Sequence, residues 1–344
     1  VFGGEEVEQR RLGRTGLYVT CIGFGGIPIQ RLSAAEAVAL VQEVVAQGVN
    51  FIDSARGYTT SEERIGQALS KGLRSQVYLA TKTMARDSQG FQADLERSLA
   101  NFQTDYIDLY QFHNVRSYEA WQQIIGPGGA MEVALQAKKD GLIRHIGITG
   151  HVCDVLCTIM ESTDLLETVQ VPFNPVETKP MERLLGLAQE QDLGLIVMKP
   201  LAGGAINRVD LALRWILNHP VTVAIPGMGS SQELHRNLEV AEDLRPLTQA
   251  EEAELAELVA QLGEDFCRRC EYCLPCPNGI DIPSLFVLEG YALRYNLGQW
   301  AQDRYQATAI KPDVCAQCGI CESRCPYQLP IQDKLKRVRA LFEE

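Results

Sequence analysis

The chain has 344 residues, 46% of them hydrophobic, enough to bury one large core and a smaller second one. A formal net charge of −12 argues against nucleic acid, whose phosphates call for clustered Lys and Arg. No apolar stretch reaches the roughly 20 residues of a membrane span; the longest, 38–49, is broken by Gln42, Glu43 and Gln47. The acidic first residues lack the basic and apolar regions of a secretory signal. With 11 cysteines, the expected location is a reducing cytoplasm.

Residues 10–17 read as a hairpin with Gly13 and Gly16 at its turn. From there to about Ala241, short apolar runs alternate with amphipathic ones. The predicted strands are 20–25, 49–53, 77–82, 106–112, 144–148, 168–171, 193–198 and 221–225. The predicted helices are 34–47, 62–70, 91–101, 131–140, 152–162, 181–191, 209–218 and 231–241. Eight strand–helix pairs over about 230 residues predict an α/β fold of the (β/α)8 TIM barrel type. The strands are near-continuous apolar runs, as in a parallel sheet buried on both faces. A doubly wound open sheet is the alternative, but Gly23-Phe24-Gly25-Gly26 is too short for its Gly-x-Gly-x-x-Gly turn. Residues 117–129 read as a long loop of the kind that serves a barrel's active site. After Arg245-Pro246-Leu247-Thr248 an acidic helix follows over 249–262, with Glu251, Glu252, Glu254 and Glu257 as a solvated face. The expected domains are therefore 1–245, the barrel, and 246–344, a small α-helical domain with helices over 282–296 and 331–342.

That small domain holds eight of the eleven cysteines, in two runs. They are Cys267-x-x-Cys270-x-x-Cys273-x-x-Cys276-Pro277 and Cys315-x-x-Cys318-x-x-Cys321-x-x-x-Cys325-Pro326. Thiolates two residues apart, repeated and closed by Cys-Pro, suit two iron–sulfur clusters of the 4Fe-4S type. Zinc is the chemical rival, but structural zinc sites take two close pairs of ligands. A disulfide framework lacks a secretory signal. The other cysteines, Cys21, Cys153 and Cys157, read as buried structural thiols.

In the barrel, Asp53 ends the second predicted strand, Tyr58 follows five residues later, Lys82 ends the third and His113 ends the fourth. Strand C-terminal ends converge on one face of a barrel, where active sites are found. Taken singly, Lys82 is also readable as a snorkelling surface residue and His113 as a structural histidine. Together and in this order, the four residues resemble those of the aldo-keto reductase superfamily, over about residues 12–241. The resemblance implies catalytic roles for Asp53, Tyr58, Lys82 and His113 in interconverting a carbonyl and an alcohol with NADH or NADPH. A free tyrosine, with a pKa of about 10, is a poor acid at neutral pH. A lysine cation held by Asp53 would lower that value. Tyr58 could then protonate the carbonyl oxygen while His113 orients it.

The resemblance also implies cofactor contacts at Gly26, Thr149, Gln170, Met198, Leu201, Gly203, Gly204, Gly227, Glu233 and Asn237. Thr149 and Gln170 match the positions that bind the nicotinamide amide, and Met198 falls where the family commonly stacks a tyrosine. Gly150 stands where the family commonly has asparagine, with His151 as a candidate substitute. Leu201-Ala202-Gly203-Gly204 matches the loop under the pyrophosphate, where glycines permit close approach. Gly227 and Glu233 stand where NADPH users place Lys and Arg, which tilts the expectation toward NADH; Arg236 is near enough to serve a phosphate instead.

The cysteine-rich tail resembles the α-helical ferredoxin-like domain carried by one branch of that superfamily, to which Val197-Met198-Lys199-Pro200-Leu201-Ala202-Gly203-Gly204 also points. Carried over from two-cluster ferredoxins, one cluster uses Cys267, Cys270, Cys273 and Cys325, and the other Cys315, Cys318, Cys321 and Cys276. The first run is one residue shorter than that pattern before its last cysteine. Two functional expectations follow. One is a hydride-transferring oxidoreductase with a small-molecule carbonyl or alcohol substrate. The other is an electron-transfer or redox-sensing protein with a ferredoxin-like partner. Neither involves nucleic acid or a membrane.

Overall fold

Apolar runs and amphipathic runs alternate along the chain, and each becomes a strand or a helix in turn. A computed structural model describes residues 7–70, 72–262, 267, 273–294, 297–325 and 328–343. The chain divides into two units, Val1–Ala202 with Arg208–Glu252 and Gly203–Asn207 with Ala253–Glu344.

In the first unit, β1 (Gln9–Arg11) and β2 (Tyr18–Thr20) form an antiparallel hairpin. There follow β3 (Phe24–Gly25), α1 (Ala34–Ala46), β4 (Phe51–Asp53), α2 (Ser61–Leu69), β5 (Tyr78–Thr83), α3 (Ser88–Phe102) and β6 (Ile107–Phe112). Then come α4 (Tyr118–Ile125), α5 (Ala130–Lys139), β7 (Ile143–Thr149), α6 (Cys153–Ser162), β8 (Thr168–Pro172) and α7 (Leu184–Glu190). The series ends with β9 (Gly194–Met198), α8 (Val209–Leu217), β10 (Val223–Ile225) and α9 (Ser231–Leu238).

Strands β3 to β10 lie side by side in chain order, every pair parallel. Parallel bridges Ile22–Ala224 and Gly25–Gly227 join the last strand to the first, with Gly23 N donating to Ala224 O at 2.8 Å. The sheet is thus a (β/α)8 barrel, not an open doubly wound sheet. The run expected as one strand over 20–25 is divided: its start belongs to the hairpin and only Phe24–Gly25 joins the barrel. The segment 117–129 is not an open loop either. Ser117 caps α4 by accepting from Ala120 N at 3.2 Å, and Trp121 and Ile124, three apart, bury one face of the helix.

Two apolar layers hold the barrel. Outside the strands, helices bury residues at helical spacing; in α1 these are Ala37, Leu40, Val41, Val44 and Val45, behind a Ser33–Glu36 capping box. Inside, Leu12 and Val19 from the hairpin pack with Phe51, Leu109, Ile196 and Val223. The hairpin therefore plugs the N-terminal end of the barrel and leaves the C-terminal end for polar side chains. Gly13 makes the plug possible. It sits at φ +52, and a Cβ there would lie 2.2 Å from Gly194 N.

Helix α10 (Gln249–Leu262) spans the division between the units. Glu251 is not simply part of a solvated face. Its carboxylate accepts from Arg214 and from both Arg245 Nη1, at 2.9 Å, and Thr248 N, at 2.8 Å. The second unit is helical: α11 (Ile282–Arg294), α12 (Gly298–Ala307), α13 (Ile320–Ser323) and α14 (Ile331–Glu343). Its core gathers Ile282, Phe286, Tyr305, Leu335, Val338 and Phe342, with the Tyr305 and Phe342 rings stacked at 4.8 Å. Among the described residues no helix is long and apolar enough to cross a membrane.

Candidate active site

Strands β4, β5 and β6 deliver their last residues to the C-terminal end of the barrel. Asp53 is the final residue of β4 and Lys82 lies one residue before the end of β5. Both side chains are buried, and Lys82 Nζ stands 2.5 Å from Asp53 Oδ1 and 2.6 Å from Ser54 O. Burial works against the ammonium, but Asp53, and beside it the Tyr58 hydroxyl, outweigh burial and raise the Lys82 pKa. The Tyr58 ring lies 5.1 Å from Lys82 Nζ and 6.0 Å, edge-on, from the His113 ring. His113 directly follows β6, held by its N–H to Thr83 O at 2.8 Å and by Arg86 Nη2 to its own carbonyl at 2.6 Å. Burial, reinforced by Lys82, Arg86, Lys199 and Arg116, pushes the His113 pKa down to about 3. The imidazole is therefore neutral and offers one N–H and one lone pair.

One polar group at this centre was not anticipated. Gln111 Nε2 donates to Asp53 Oδ2 at 3.4 Å, and Gln170 also hydrogen-bonds Asp53. A signal is present in the sequence: Gln111 is a polar residue in the otherwise apolar end of β6, two residues before His113.

The expected cofactor positions are distributed as follows. Thr149, the last residue of β7, is buried, its hydroxyl accepting from Asn114 N at 2.9 Å. Gln170 on β8 is buried with its Oε1 lacking a hydrogen-bond partner among the described residues, as a site for an amide N–H would have. Met198 ends β9 half-buried. Gly26 N donates to Asp53 O at 2.8 Å, and Gly227 bridges to Gly25. Gly203 and Gly204 fall in the second unit and take left-handed backbone, at φ 68 and 83; Leu201 precedes them, half-buried. Glu233 is exposed at the start of α9, and its carboxylate accepts from Gly229 N at 2.6 Å. Asn237 is buried one turn further along.

In the second unit, Cys273 is buried in the apolar core, and Cys267, Cys276, Cys315, Cys321 and Cys325 pack against that core. Cys318 is exposed, and Cys270 lies outside the described residues. None of the described cysteines is in a disulfide, and no three His, Cys, Asp or Glu side chains among the described residues converge on a single metal-ion position. Sulfur donors gathered at one apolar core, with no disulfide, are a donor set suited to iron–sulfur clusters. The barrel cysteines differ in kind. Burial pushes Cys21 up to about 11 and Cys153 up to about 12, so neither is a thiolate at neutral pH.

Comparison with known proteins agrees with both halves. Residues 21–210 match the model of the Aldo/keto reductase family, and residues 266–330 match that of the 4Fe-4S dicluster domain. L-galactose dehydrogenase of Arabidopsis thaliana is 31% identical over 222 residues, 59% of this chain and 68% of that protein. The holo form of an aldo-keto reductase from Bacillus halodurans, AKR11C1, superposes with a TM-score of 0.64 at 25% identity, covering 74% of this chain and 96% of that one. An aldo-keto reductase from Klebsiella pneumoniae, solved in complex with NADPH, shares the fold with a TM-score of 0.62 at 23% identity, covering 74% and 96%.

Proposed function

The chain belongs to the aldo/keto reductase family and carries a 4Fe-4S dicluster domain, and from that premise we propose that it interconverts a small-molecule carbonyl and its alcohol with a nicotinamide cofactor. The observation that carries this reading is the buried Lys82–Asp53 pair beside Tyr58, with the neutral His113 ring on the other side of that tyrosine.

When bound, NADH or NADPH supplies the hydride to the carbonyl carbon and takes it back in the reverse direction. Tyr58 gives its hydroxyl proton to the carbonyl oxygen, which leaves a tyrosinate to be reprotonated from solvent. The Lys82 ammonium stabilises that tyrosinate, and Asp53 keeps the ammonium in place and charged. The neutral His113 donates one N–H to the carbonyl oxygen and so fixes which face of the carbonyl is presented. Gln170 and Thr149 would hold the carboxamide, and Met198 would pack on the nicotinamide ring. Gly26 and Asn237 would line the rest of the cofactor site. A carboxylate at Glu233 and the bare Gly227 favour NADH over NADPH, since Glu233 would repel a 2′-phosphate. The Klebsiella protein, by contrast, holds NADPH.

Two clusters, held by the cysteines from Cys267 to Cys276 and from Cys315 to Cys325, would supply one-electron chemistry in addition to the two-electron chemistry of the barrel. The exposed Cys318 supports a second reading, in which the domain exchanges electrons with a ferredoxin-like partner.

Anaerobic purification with iron and sulfide analysis, followed by titration with NADH, NADPH and dithionite, tests both readings. Oxidation of pyridine nucleotide by an aldehyde, abolished in Tyr58→Phe, is the expected result. Turnover that survives Tyr58→Phe would overturn the assignment. Cluster bleaching by pyridine nucleotide would show the two centres communicating.

A further inference from the structure

Lys82 points into the barrel, so its neighbours on β5, Thr81 and Thr83, point out. Each of these hydroxyls donates to a different carboxylate. Thr81 Oγ1 reaches Glu62 Oε1 at 2.7 Å, and Thr83 Oγ1 reaches Asp94 Oδ2 at 2.5 Å. The two carboxylates flank a single guanidinium. Arg56 Nη1 donates to Glu62 Oε2, and Arg56 Nε lies 3.6 Å from Asp94 Oδ1. Arg56 is two residues before Tyr58 and two after Ser54, whose carbonyl receives Lys82 Nζ. Its own backbone N–H donates to Lys82 O at 2.9 Å.

The loop that carries Tyr58 and the strand that carries Lys82 are thus joined by one set of ionic and hydrogen-bonded contacts behind the barrel wall. Stability alone does not call for these charges. Glu62 is 1% exposed, and withdrawing a carboxylate and a guanidinium from water carries a cost that apolar side chains would avoid. What charged groups offer in exchange is directional geometry.

We propose that Arg56, with Glu62 and Asp94, is a positioning clamp that sets the distance between Tyr58 and Lys82. The clamp rests on the proton-donor role given to Tyr58 above. A clamped lysine keeps the tyrosine's proton affinity low; a lysine that drifts away lets it rise. Ser98 supplies a control within the same cluster. Its hydroxyl also donates to Glu62 Oε1, at 2.8 Å, but from α3, and its other polar neighbour is the Tyr110 hydroxyl on β6, at 3.5 Å.

The test uses the full iron-loaded chain, with 4-nitrobenzaldehyde as probe and the nucleotide that turns over. Arg56→Met should lower kcat about 10²-fold, as a misplaced reacting group does, with the KM for the aldehyde unchanged. The alkaline limb of its pH–rate profile should move to higher pH, and Arg56→Lys should recover part of both losses. Ser98→Ala should lower the melting temperature but leave kcat and the limb where they are. Arg56→Met with full iron content and unaltered kcat and limb overturns the clamp, as does an equal loss of kcat in Ser98→Ala. Should Arg56→Met not fold, Thr83→Val gives the same readout. Turnover that survives Tyr58→Phe overturns the proton-donor role and the clamp with it. Turnover lost in Tyr58→Phe but intact in Arg56→Met overturns the clamp alone.

Discussion

Lys82 Nζ lies 2.5 Å from Asp53 Oδ1, with both side chains shut away from water. Removing one partner leaves the other as an uncompensated buried charge. Lys82→Met and Asp53→Asn should each destabilise the fold, by roughly 3–5 kcal/mol for the lysine. The double variant should be more stable than Lys82→Met alone. Urea unfolding of the three variants measures this, and simple additivity of the two losses would show that the pair is not coupled.

His113 makes a prediction in the opposite direction of charge. Its pKa falls from 6.5 to about 3 on folding, because burial and then the cations around it disfavour the imidazolium. Below pH 6.5 the unfolded chain takes up a proton that the folded chain refuses, so this residue subtracts stability as pH falls from 6.5 toward 3. His113→Asn should flatten that part of the stability–pH curve. The pH–rate profile should show no inflection from His113 between pH 5 and 8, and imidazole NMR shifts at pH 5 should report a neutral ring.

Glu167 behaves as an ordinary stabilising acid. Burial alone would raise its pKa, but hydrogen bonds from His145, Lys138 and Ile146 N outweigh burial and hold it at about 2. The contribution is fully present above the unfolded value of 4.5 and is lost as pH falls from there through 2. Glu167→Gln should therefore lower the denaturation midpoint at pH 7, and the gap to the parent should close progressively below pH 4.5. A gap that stays constant over that range would rule out the linkage.

Gly13 lies at the end of the barrel opposite the reactive groups. Its left-handed backbone, and the 2.2 Å approach a Cβ would make to Gly194 N, leave no space for alanine. Gly13→Ala should cost more than about 1 kcal/mol, the scale of an incompatible glycine replacement. Activity per folded molecule should be unchanged. Melting temperature and specific activity, measured on one preparation, separate the two effects.

Most of the barrel is legible in the sequence because strands such as Ile107–Phe112 are apolar runs long enough to stand out from their helical neighbours; Phe24–Gly25 is too short to be separated from the hairpin before it. Asp53, Lys82 and His113 stand out in the sequence because each ends such a run, and it is their conjunction with Tyr58 in one order, not any one of them, that separates them from a snorkelling lysine or a structural histidine. The helix over Tyr118–Ile125 was masked by its Gly-Pro-Gly-Gly tail, which dominates any local reading. Arg56, Glu62, Thr81 and Asp94 carry no local signal. They lie in four separate segments, look like ordinary surface residues in sequence, and meet only once the barrel wall stands between them and Lys82. Glu251 is a mixed case: Thr248, three residues before it, is a local capping signal, whereas Arg214 approaches it from 37 positions away.

The hairpin plug bears on how the protein is made. Arg10 Nη1 donates to Leu217 O at 3.0 Å and to Val221 O at 2.8 Å, across 211 positions in the second case. A nascent chain emits the plug long before its anchoring carbonyls. At roughly 5–20 residues per second, the interval on a ribosome is on the order of ten seconds or more. Throughout it the first strand has no permanent neighbour on one side and the bottom of the barrel is open. A chaperone that shields the emerging N-terminal segment would act in that window, before the eighth strand arrives to close the ring.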